Sequence, residues 1–198
     1  MREQALALIR DSLRVKEDFF RDNLTRVLDV VECVAKTLSG GNKVLIFGNG
    51  GSAADAQHIA AEFVNRYVLD RPALPAIALT TDTSVLTSIG NDLGFAQIFA
   101  RQIEALGRKG DIAWAISTSG RSANVVEGVR RARAMGLVAI GFTGGNGGEL
   151  RALCDHGVHV QSSSTPRIQE VHIVVGHIVC ELVERRLGVS GGSRVQEV

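Results

Sequence analysis

The chain has 198 residues, 45% of them hydrophobic, and its 22 basic and 21 acidic side chains leave a formal net charge of +1. Such a length and apolar content suit one globular domain with a sizeable core, not two. The two signs of charge are interspersed, so the basic stripe that a nucleic-acid binder needs is absent, and nucleic acid is not an expected partner.

From the N-terminus, residues 3–38 contain no proline and place Leu6, Ile9, Leu13, Phe19, Phe20, Leu24, Val27, Leu28, Val31 and Val34 at helical period, which predicts one or two helices. Gly40 and Gly41 end that pattern, and the apolar run 43–47 reads as a buried strand. Four more short apolar runs follow at 76–79, 112–117, 138–143 and 158–160. Helical patterns at 52–66, 95–106, 122–135 and 146–153 separate most of them, and a last helix is expected over 166–187, starting at Pro166 and ending before Gly188. This alternation predicts an α/β domain: a doubly wound, five-stranded parallel sheet with helices on both faces and right-handed crossovers, preceded by the N-terminal helices. The divisions are 1–38 as a helical segment suited to oligomerisation, 39–188 as the α/β domain, and 189–198 as a mobile tail.

The segment 171–183 is the most apolar late stretch, but His172, His177 and Glu181 interrupt it and it is shorter than the ~20 residues of a membrane span. It reads as a buried helix, and no membrane partner is expected. Cys33, Cys154 and Cys180 are isolated, without C-x-x-C spacing, and the first 23 residues are too charged for a signal-peptide core. A reducing cytoplasm is the expected compartment.

In such a sheet, ligands sit beyond the carboxyl ends of the strands. The loops GNGGS, TTDTS, STSGRS and TGGNGG should all emerge there. Ser117, Thr118, Ser119 and Ser122 cluster four hydroxyl donors between a strand and the free N–H groups of the next helix, an arrangement suited to phosphate; ordinary capping is the structural alternative. Gly48-Asn49-Gly50-Gly51-Ser52-Ala53 satisfies G-x-G-x-x-A after a strand. The acidic residue that a dinucleotide site wants about 20 positions later is missing, because Asp82 comes too late.

His58 and Glu62 follow at i, i+4, which stacks an imidazole and a carboxylate on one helical face. Either they are an ordinary surface pair or they are functional. Gln169 and His177 lie on the last helix, eight residues and so about 12 Å of rise apart. For both to meet one atom, Gln169 must sit at a frayed helix start or the two must come from different chains, which favours a site at an oligomer interface. His156, His159 and His172 read as structural.

Taken together, GNGGSAADAQHIAAEF, RPALPAIALTTDTSVLTSIGND, ISTSGRSANV, GFTGGNGGEL and RIQEVHIVVGHIV make the chain resemble the phosphoheptose isomerases of the sugar isomerase (SIS) fold, a flavodoxin-like three-layer sandwich, over nearly its whole length to about Leu187. The resemblance implies interconversion of sedoheptulose 7-phosphate and a glycero-manno-heptose 7-phosphate, the entry to nucleotide-activated heptoses for surface polysaccharide. It implies Glu62 and His177 as the acid/base pair and one zinc per chain held by His58, Glu62, Gln169 and His177. Phosphate falls to Ser117, Thr118, Ser119 and Ser122, and further substrate contacts to Asn49, Gly50, Gly51, Ser52, Glu62, Arg66, Asn91, Asp92 and Gln169. It also implies a homotetramer with sites between subunits. A related branch resembles the isomerases, and the stretch TTDTSVLTSI, but serves as a replication-initiation regulator that binds the initiator protein; its members lack the acid/base residues, and this chain has both. One departure stands out: some isomerases of the family carry an acidic residue where this chain has Pro166.

Overall fold

The computed structural model describes residues 1–188; the expected mobile tail, 189–198, lies outside the described residues. The N-terminal segment forms one helix, α1 (Arg2–Ser39), because no glycine or proline interrupts its apolar period. There follow β1 (Val44–Gly48), α2 (Gly51–Val64), β2 (Ala76–Ala78), α3 (Thr83–Asp92), a 3-10 turn Phe95–Gln97 leading into α4 (Ile98–Leu106), β3 (Ile112–Ser117), α5 (Ala123–Ala134), β4 (Val138–Gly144), α6 (Leu150–Leu153), β5 (His156–Val160) and α7 (Thr165–Gly188).

The five strands make one sheet in the order β2-β1-β3-β4-β5, every neighbouring pair parallel. This is the doubly wound arrangement expected from the sequence, with its order reversing between β1 and β3. The central strands are apolar on both faces since helices cover both. Val44, Ile46, Ile112, Trp114, Ile140 and Phe142 pack with α1, α2 and α7. Leu45, Phe47, Ala113, Ala115 and Ala139 turn the other way, against Ile98, Phe99 and Ile103 of α4 and Val125 and Val129 of α5. Trp114 anchors the first layer, edge-on to Phe142 with ring centroids 4.9 Å apart.

Three elements differ from the sequence expectation. The α1 helix is no appendage over most of its length: Val15, Phe19, Val27, Val30, Val31, Val34 and Leu38 are buried in the same core as α7. Leu6, Leu8, Ile9, Leu13, Leu24 and Leu28 remain exposed. The stretch taken as the loop TTDTS runs instead into α3, whose N-cap Asp82 accepts from Val85 N–H. The helix expected over 146–153 shrinks to α6, because Gly145, Gly147 and Gly148 all take positive φ, which a helix cannot use. No helix among the described residues is long and apolar enough to cross a membrane.

His172 of α7 is structural, as expected. It is buried against Phe142, and its Nε2–H donates to the carbonyl oxygen of Thr143 at 3.1 Å, which ties α7 to β4. Burial pushes its pKa from 6.5 down to about 4, the Thr143 bond opposing the shift. Between those values the unfolded chain binds a proton that the folded chain refuses, so stability is complete above pH 6.5 and falls as the pH drops toward 4. The loss should reach on the order of 3 kcal/mol. Urea titrations of wild type and His172→Gln at pH 7.5 and 4.5 should show a smaller acid loss in the variant; equal losses would show that His172 does not carry this pH dependence.

Candidate active site

The β1–α2 and β3–α5 loops leave the carboxyl ends of adjacent strands where the strand order reverses. They are locked together by Asn49 and Asn124, whose side-chain amides exchange two hydrogen bonds of 2.8 Å. In the second loop the Ser117 and Ser122 hydroxyls lie 3.2 Å apart. Gly120 N–H donates to Ser117 Oγ and Arg121 N–H to Ser119 Oγ, each at 3.2 Å. Ser122 is the N-cap residue of α5, yet its side chain makes no capping bond, so ordinary capping does not account for this hydroxyl. The first N–H groups of a helix have no partner within it, and the hydroxyls gather beside them. Thr118 and Ser119 line a cavity of about 400 Å³ with Gly144, Gly145, Ser162 and Thr165. Its size and hydroxyl-rich wall suit a phosphate ester.

The second cluster lies between α2 and α7. Gly176 of α7 packs on Ile59 of α2 so closely that an added Cβ would stand 2.8 Å from its Cδ1. That approach brings His58 and His177 face to edge, ring centroids 4.9 Å apart. His58 Nε2 is 2.9 Å from Glu62 Oε1 and 3.4 Å from His177 Nε2. A single proton on His58 Nε2 can serve only one of these neighbours, and the carboxylate is the better acceptor. His177 is held below its ordinary pKa by burial first and by His58 second, with Glu62 pulling the other way. It is therefore neutral at pH 7, free to donate a lone pair. Half of the His58 side chain is exposed (48%), against 22% for Glu62, so the cluster is open to a ligand.

A buried knot that the sequence reading missed holds the two helices in place. Glu184 of α7 accepts from the backbone N–H groups of Tyr67, Val68 and Leu69 at 2.7–2.8 Å and from Arg71 Nε at 3.0 Å. Burial would raise its pKa, but these donors outweigh it and hold the carboxyl low. The rest of the Arg71 guanidinium donates to the carbonyls of Glu62 and Phe63, at 2.8 and 2.9 Å, which closes the open C-terminal end of α2. A glutamate within an apolar helix, Val-Cys-Glu-Leu-Val-Glu, was the one available signal.

Not every residue expected at the site joins these clusters. Gln169 lies within the regular helix α7, not at a frayed start; its Nε2 sits over Gly51, where an added Cβ would stand 2.5 Å away. It shares a cavity of about 320 Å³ with Gly51 and Asp55, two helical turns from His177. Asn91 and Asp92 are exposed at the end of α3, bonded to each other at 2.7 Å. Arg66 is exposed just beyond α2, and Gly50 takes the positive φ of the turn that starts this helix. Ser52 is buried beneath that turn. A cavity of about 810 Å³ opens elsewhere, beside Cys33, Asn42, Gly110 and His156. Asn42 and Gly110 precede β1 and β3, so that cavity lies at the wrong end of the sheet for the chemistry.

Among the described residues, no group of three or more His, Cys, Asp or Glu side chains is already arranged to hold a metal ion. The donors of the second cluster nevertheless have the right chemistry for zinc. Two imidazoles and a carboxylate make the His₂Glu set of open catalytic sites, and Nε2 atoms 3.4 Å apart match the edge of about 3.3 Å that Zn–N bonds of about 2.0–2.1 Å give in a tetrahedron.

Comparison with known proteins places this geometry in a family. The SIS domain model matches residues 9–144. A phosphoheptose isomerase of Desulfovibrio desulfuricans is 54% identical over 188 residues, covering 93% of this chain and 90% of its own length. That of Thermodesulfovibrio yellowstonii is 56% identical over 174 residues, 88% and 87% of the two chains. Among solved structures, phosphoheptose isomerase GmhA from Neisseria gonorrhoeae superposes with a TM-score of 0.88 at 41% identity, over 93% of this chain and 98% of that one. The isomerase from Francisella tularensis gives 0.89 at 34% identity, over 92% and 97%. With relatives this similar along almost all of its length, the chain belongs to the phosphoheptose isomerase family of SIS-domain proteins.

Proposed function

We propose that the protein is an aldose–ketose isomerase that interconverts sedoheptulose 7-phosphate and D-glycero-D-manno-heptose 7-phosphate, the first step toward nucleotide-activated heptoses for surface polysaccharide such as lipopolysaccharide. Family membership supports the substrate class. The observation that carries the chemistry is the contact of His58 with both Glu62 and His177. Isomerisation through an enediol moves a proton between adjacent carbons, which needs a base near the carbon and an acid near the carbonyl oxygen. Glu62 and His177 take these two tasks. Ser117, Thr118, Ser119 and Ser122 hold the phosphate with the first N–H groups of α5. Asn49, Gly50, Gly51, Ser52 and Gln169 line the approach, and Arg66, Asn91 and Asp92 complete the substrate contacts. Glu62→Gln and His177→Gln should each lower turnover of sedoheptulose 7-phosphate about 10²–10⁴-fold while remaining folded; near wild-type turnover in either would remove that residue from the reaction.

One zinc per chain belongs to this reading, with His58, Glu62 and His177 as donors; Gln169, the further ligand that the family resemblance implies, stands two helical turns from His177 in the same chain and would reach the metal from a neighbouring chain. A zinc ion held there would polarise the substrate carbonyl and position the acid/base groups, with Glu62 only loosely held once substrate binds, so that its carboxylate can act in proton transfer. Purified protein should hold about one zinc per chain by elemental analysis. His58→Ala with His177→Ala should abolish it, and a chelator should suppress activity that added zinc restores. Full activity in metal-free protein would overturn the assignment.

The active unit is a homotetramer with sites shared between subunits, working in a reducing cytoplasm where Cys33, Cys154 and Cys180 stay free. Two features support sharing. The cavity lined by Thr118 and Ser119 is not lined by His58, Glu62 or His177, and α1 exposes Leu6, Leu8, Ile9, Leu13, Leu24 and Leu28, an apolar face that a second chain would cover. Light scattering at micromolar concentration should give about 84 kDa, four chains of 21.1 kDa. A fully active monomer would overturn the shared site.

A further inference from the structure

Asp55 is the anomaly of the α2/α7 groove. One of its carboxylate oxygens is buried without any hydrogen-bond partner among the described residues. The residue stands in the second turn of α2, which has no acidic residue in its first turn, so neither capping nor the helix dipole explains it. Aspartate is also a poor helix former away from the N-terminus. Burial raises the Asp55 carboxyl above its ordinary value, with nearby His58 opposing. Asp55 is half-buried, and a buried carboxylate oxygen left without a donor is costly to folding; nothing local repays that cost.

Its surroundings suggest what does. Gly51, Asp55, His58 and Glu62 fall at i, i+4, i+7 and i+11, one stripe of α2 facing α7. Asp55 shares the cavity of about 320 Å³ with Gly51, Gln169 and Glu170. The Glu170 charge is already answered by Ser12, Arg167 and Lys16. Asp55 alone of the two carboxylates has unspent acceptor capacity, and it shares its cavity with residues already assigned to substrate. We infer that Asp55 is a substrate-binding residue whose carboxylate accepts a hydrogen bond from a hydroxyl group of the sugar chain as it lies in this cavity. The inference rests on the isomerase reading above and adds a residue to it. Whichever chain supplies the acid/base cluster, Asp55, Gly51 and Gln169 face this cavity from one chain.

The test is Asp55→Ala and Asp55→Asn in the full-length, zinc-loaded protein, assayed on sedoheptulose 7-phosphate with melting temperature and oligomeric mass measured in parallel. Loss of a hydrogen bond between a hydroxyl and a charged group should raise KM about 10- to 100-fold in Asp55→Ala. Asn, which keeps one acceptor oxygen, should restore part of the loss. Melting temperature should hold or rise, since Ala removes a half-buried carboxylate with one unpartnered oxygen and favours the helix. An unchanged KM overturns the inference and leaves the isomerase reading intact. A lower melting temperature or loss of the oligomer assigns Asp55 a structural role and overturns it as well. A wild-type protein that does not turn over sedoheptulose 7-phosphate overturns the isomerase reading, and the inference with it.

Discussion

The buried Glu184–Arg71 pair is the constraint on which the α2/α7 cluster depends. Both side chains are almost wholly inaccessible, at 1% and 3%, and both are densely bonded: three backbone N–H groups and one guanidinium N–H on the carboxylate, and the carbonyls of Glu62, Phe63 and Pro72 on the guanidinium. A buried ion pair gains little over an apolar substitute, but removing one partner leaves the other charge stranded, at a cost of about 3–5 kcal/mol. Geometry is what the pair supplies here. It fixes the last turn of α2 against α7 through an intervening loop, and Glu62 sits in that turn. His58, Glu62 and His177 thus meet because a charge about two turns along α7 from His177 holds both helices.

The other half of the site is fixed by different means. Asn49 and Asn124 bridge two loops that diverge from neighbouring parallel strands, at the place where such sheets open a crevice because successive connections pass to opposite faces. A neutral amide pair suits that place: it joins the loops without bringing a charge that would compete with phosphate. Ser117, Ser119 and Ser122 are held by bonds of 3.2 Å within the loop, and Thr118 and Ser119 line the cavity. The geometry of the serine loop therefore follows from backbone topology, whereas that of the His58/Glu62/His177 cluster follows from helix packing.

Residues that the fold does not explain are informative for the same reason. Glu170 and Asp55 face one cavity, yet Glu170 is paired, while one Asp55 oxygen is buried without a partner among the described residues. His172 and His177 lie five residues apart on one helix. His172 is sealed in the core and bonded to Thr143, while His177, half-buried in the groove, meets the imidazole of His58. Residue type distinguishes neither pair; the environment of each side chain does.

How much of this was legible in the sequence varied with the range of the interaction. Strands β1, β3 and β4 were readable because a parallel strand covered on both faces must be apolar throughout, and β3 was located to the residue. The serine loop, the glycine turn and the His58/Glu62 pair were readable because each is a pattern within a few residues. The α3 helix was missed because it buries no residue fully, so its apolar period is weak, although Asp82 offered a capping signal. Glu184 and Arg71, 113 residues apart, carry no local mark of their pairing, and the same holds for Asn49 with Asn124. Sequence alone determined the element types, their order and the residue types available for chemistry, since these depend on local period and turn preference. Tertiary structure alone decided that Gln169 stands over Gly51 and not beside His177, that α1 belongs to the core, and that one Asp55 oxygen is buried without a partner among the described residues. Those outcomes depend on which helices pack together and how closely, which is set by contacts between residues far apart in the chain.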